Sequence, residues 1–73
     1  MCPREAVKRA LAQNAAAMIL VHNSPLGVAE PSQSNRILTD ALKQELALVD
    51  VWVLNHIIIA ARQTLSFAEK GLL

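Results

Sequence analysis

The chain has 73 residues, a formal net charge of +1, 53% hydrophobic residues and 18% charged ones. That length allows one small domain, residues 1–73, which buries only about 60% of its unfolded surface. The apolar content excludes a disordered tail, two Gly with three Pro exclude a low-complexity linker, and the near-neutral charge is not the footprint of a nucleic-acid binder.

Pro3 suits a first helical position, because its missing N–H would be unpaired there in any case. Val7, Ala10 and Leu11 recur at helical spacing, and Asn14 can stop the helix in a left-handed conformation. The pattern predicts helix one over residues 3–14. Arg4, Glu5, Lys8 and Arg9 interrupt the N-terminal stretch where a signal peptide needs an apolar core. Ala15 to Val21 is a continuous apolar run, too short to cross a bilayer, which takes about 20 helical residues. Its three alanines are compatible with helix. The breakers Pro25 and Gly27 that follow favour a strand, covered on both faces, running into a loop over residues 22–32. Ser32 is a good N-cap, and Ile37, Leu38, Ala41, Leu42, Leu46 and Val49 form an apolar stripe, predicting helix two over 33–49. Val51 to Ala60 is rich in β-branched residues and predicts a second strand, again buried on most of both faces. Thr64 to Phe67 returns as a short antiparallel strand, and the tail Ala68–Leu73 makes a turn that tucks Leu72 and Leu73 inward. Trp52 and Phe67 are the only aromatic residues, so the core is aliphatic.

The order is α-β-α-β-β: an α/β chain with two helices and a three-stranded mixed sheet, whose strand–helix–strand unit implies two parallel strands. A sheet this thin leaves a strand edge unpaired. The expected partner is a second copy of the chain or another protein, not a membrane. A single cysteine, Cys2, cannot close an internal disulfide and fits a reduced, cytoplasmic setting.

Chemistry-bearing residues gather in the first loop. His22 leads it, position 24 lies two residues on and points the same way in an extended chain, and Asn35 approaches from the start of helix two. The text reads His22-Asn23-Ser24-Pro25-Leu26-Gly27, then three residues, then Pro31-Ser32-Gln33-Ser34-Asn35. With Pro3-Arg4-Glu5, Asn14-Ala15-Ala16-Ala17, His56-Ile57-Ile58-Ile59 and the final Ser66-Phe67-Ala68-Glu69-Lys70-Gly71-Leu72-Leu73, this resembles the C-terminal part of the RadC family over essentially the whole chain. That family has the JAB/MPN (JAMM-type) metalloprotease fold, so the resemblance implies a small three-layer-like unit, a truncated relative of the cytidine-deaminase-like fold.

The family pattern is His-Asn-His-Pro-Ser-Gly, a spacer, then Pro-Ser-x-x-Asp. Its two histidines and aspartate bind zinc, and its serine supports the transition state. By position His22 matches the first ligand, Ser24 stands for the second histidine, Asn35 stands for the aspartate and Ser32 matches the serine. Leu26 replaces a further serine, and Asn55-His56 replaces an Asp-His pair. The family's general-base glutamate lies upstream of the part matched here. A catalytic zinc site takes three protein ligands and an open position, so no bound cofactor is expected, and zinc if any. The chain therefore reads as a RadC-like domain without catalysis, a binding or structural module.

The alternative is a zinc-dependent JAMM-type metallopeptidase that recruits His56, Glu30 or Asp40 as surrogate ligands. The plainer readings are a hydrogen-bonded core histidine, a solvated loop carboxylate and a solvated partner of Arg36 or Lys43. Ser24 beside His22 lacks the orienting acid and oxyanion loop that a serine nucleophile needs. The family carries a DNA-repair name, and the small basic patch of Arg4, Lys8 and Arg9 reads as ordinary surface.

Overall fold

A computed structural model describes residues 3–24 and 29–73. Five elements follow one another: α1 (Pro3–Ala12), β1 (Ala17–Asn23), α2 (Gln33–Ala47), β2 (Trp52–Ile59) and β3 (Thr64–Ser66). β1 and β2 pair in parallel, β2 and β3 pair antiparallel, and the sheet order is β1-β2-β3. The expected α/β unit with a three-stranded mixed sheet is therefore present. β1 begins two residues later than the apolar run suggests and extends to Asn23, so His22 belongs to the strand and not to the loop.

Each helix stops by the same local device. Asn14 (φ 51°) and Asp50 (φ 60°) adopt the left-handed conformation. The Ala15 N–H then reaches back to the Ala10 carbonyl and the Val51 N–H to the Leu46 carbonyl, each at 2.9 Å. Short polar side chains tolerate this conformation, and the backward bonds satisfy carbonyls that a helix end leaves open. The C-terminal turn repeats it with Gly71 (φ 68°), where the Leu72 N–H bonds the Phe67 carbonyl at 2.9 Å. Leu72 and Leu73 are thereby folded onto Ile58, Leu65 and Phe67, as the sequence suggests.

Both helices lie against one face of the sheet. Ala6 and Ala10 of α1, Leu42 and Leu46 of α2, Leu20 of β1 and Val51 form one buried cluster. The alanines on α1 allow close approach, and α2 supplies the larger side chains. Ile37 does not join this cluster and is 62% exposed. It lies five residues before Leu42, which places it about 140° around the helix from the buried side.

The opposite face of the sheet is bare, which corrects the expectation that both long strands are covered on both faces. Ile19, Val21, Trp52, Leu54 and Ile59 are exposed. Continuous apolar runs suit a doubly covered strand, but here the described residues supply helices to one side only. The register explains which residues turn inward. Met18 pairs with Val53 and Ile19 with Asn55, so Leu54 is an extra residue in β2. This bulge resets the alternation, and both Val53 and His56 then face the helices.

Candidate functional site

The site is built where β1 ends, α2 begins and the middle of β2 passes beneath. Ser32 caps α2 with extended backbone (φ −60°, ψ 159°), and its hydroxyl accepts the Asn35 N–H at 3.2 Å. The same hydroxyl lies 3.2 Å from the Ser34 hydroxyl. The serine that matches the family's catalytic serine thus performs a capping role in this chain. The Asn35 side-chain amide donates to the Glu30 carbonyl at 3.4 Å, closing the approach to the helix. Glu30 and Asp40 are exposed, as the solvated reading expects.

His22 is half-buried near the end of β1. The parallel register sets Leu20 opposite His56 and His22 opposite Ile58, so the two histidines are diagonal neighbours on the helix-covered face. Their ring centroids are 6.4 Å apart with an interplanar angle of 75°. His56 is fully buried, with the Phe67 ring 5.0 Å away and tilted by 37°. Ser24 follows β1, its N–H bonded to the Ile59 carbonyl at 2.8 Å. The remainder of the loop, Pro25 to Val28, and the N-terminal Cys2 lie outside the described residues, and with them the readings made of Pro25, Leu26, Gly27 and Cys2.

The buried polar centre is a relay that the sequence did not reveal in full. Thr39 donates its hydroxyl proton to the Asn35 carbonyl at 2.8 Å and lies 2.5 Å from His56 Nδ1. A hydroxyl has one proton, already committed to Asn35, so Nδ1 must be the donor to Thr39 Oγ1. That fixes the tautomer and leaves Nε2 a bare lone pair. Nε2 is buried without a hydrogen-bond partner. Burial, and after it the neighbouring charge of His22, pushes His56 below the ordinary histidine range, which favours the neutral ring. The core-histidine reading of His56 therefore holds at one ring nitrogen only. Thr39 was missed, although a signal existed: it lies one turn beyond Asn35 and three residues before Leu42, a polar β-branched residue within the buried stripe.

Asn55, half-buried, is a second organiser. Its Oδ1 accepts the N–H of His56 at 2.8 Å and of Ala68 at 3.0 Å, while its Nδ2 donates to the Ser66 hydroxyl at 2.8 Å. These bonds tie β2 to β3 and to the C-terminal turn. An amide serves both donor and acceptor needs here, as a carboxylate cannot.

The donor set does not fit a catalytic zinc ion. His22 supplies an imidazole, but Ser24 offers a neutral hydroxyl and Asn35 an amide whose nitrogen is engaged with Glu30. Among the described residues, no three His, Cys, Asp or Glu side chains converge.

Comparison with known proteins places the chain in a family. The family model for the RadC-like JAB domain matches residues 1–72. A UPF0758 protein of Nitrosomonas eutropha is 63% identical over 71 residues, covering 97% of this chain and 32% of its own length. A second, from Methylibium petroleiphilum, is 65% identical with the same coverage. A third, from Thiobacillus denitrificans, is 67% identical over 69 residues, 94% of this chain and 31% of its own. The chain thus spans about a third of the length of the curated relatives it matches. By the extent of the match and the motifs that carry it, the chain belongs to the RadC-like JAB domain family.

Proposed function

We propose that this chain is a catalytically inactive RadC-like JAB domain that acts as a binding or structural module. The observation that carries the reading is the pair Ser24 and Asn35 at positions where the family's motif places a histidine and an aspartate. Zinc favours imidazole, thiolate and carboxylate donors. Losing even an outer partner of a metal ligand costs about 10–100-fold in affinity or activity, and losing two ligands costs more. Without a well-held ion, water is not activated for attack.

Metal analysis of the chain purified at neutral pH tests this. We expect zinc far below one per chain, and one tightly bound zinc per chain overturns the reading. The double substitution Ser24→His with Asn35→Asp should raise zinc affinity by on the order of a hundredfold or more, read by competition with a chromophoric chelator.

One observation favours a second reading, in which the chain remains a zinc-dependent metallopeptidase of JAMM type with surrogate ligands. The unpaired Nε2 of His56 is a neutral imidazole donor beside His22. If that pair holds zinc, chelator-sensitive peptide cleavage disappears in both His22→Ala and His56→Gln. Cleavage that survives in either variant removes the second reading.

A further inference from the structure

We draw no further inference here: the strongest candidate, the buried Nε2 of His56 beside His22 on the helix-covered face of the sheet, belongs to the site already described.

Discussion

His56 shows how one side chain can be satisfied as a core residue and still be chemically open. Its Nδ1 is held by Thr39 and its Nε2 is buried without a partner. Thr39→Val removes the acceptor at Nδ1 and strands a second buried polar atom. We expect a loss of about 1–3 kcal/mol in urea denaturation. Thr39→Ser, which keeps the hydroxyl, should recover most of it.

The protonation behaviour of His56 follows from its depressed pKa. Above the unfolded value of 6.5 both folded and unfolded chains hold a neutral ring, and His56 contributes no pH dependence. As the pH falls below 6.5 the unfolded chain takes up the proton more readily, so stability declines until the folded pKa is passed. Denaturation midpoints should therefore drop between neutral pH and mildly acidic pH. In His56→Gln that drop should be reduced, and an unchanged profile would show that another group titrates. Asn55-His56 could be marked from the sequence as a site pair, but the relay through Thr39 could not. It depends on the bulge at Leu54, which sets the face on which His56 lies.

At the scale of elements, the sequence was most readable where a local rule acts alone. Ser32 as N-cap, Asn14 as a left-handed stop and the tucked leucines of the tail are decided by neighbours a few residues away, and each is found. The N-cap can be tested directly. Ser32→Ala should cost about 1 kcal/mol of stability, measured by thermal or urea unfolding, and Ser32→Asp should be close to neutral. What was not readable is burial. Ile19, Val21 and Trp52 have the composition of interior strand residues, yet lie on a bare face. Composition records how apolar a strand is, whereas coverage depends on which other segments pack against it. Of the site, the positions of His22, Ser32 and Asn35 were legible through motif spacing. The packing of His22 against His56 required the parallel register.

For the whole molecule, stability rests on few side chains. Among the described residues, the helix-side cluster holds only Leu20, Leu42, Leu46 and Val51 as large buried residues, with two alanines between them. Leu46→Ala should cost about 2–5 kcal/mol. Small domains have about 5–15 kcal/mol in total, often near the lower end. We therefore expect this variant to be largely unfolded near physiological temperature, seen as loss of helical circular dichroism. A cooperative transition within a few degrees of the native one would mean that further packing surface supports the fold.

The bulge at Leu54 has a consequence for how this chain can change over generations. Below it, Val53 serves the cluster under the helices; above it, Ile58 serves the cluster around Phe67. Positions 24 and 35 belong to neither cluster. Replacements there leave both apolar clusters intact, so selection on core packing alone does not preserve ligand chemistry. A lineage can thus lose the metal motif one residue at a time and keep inheriting the same scaffold.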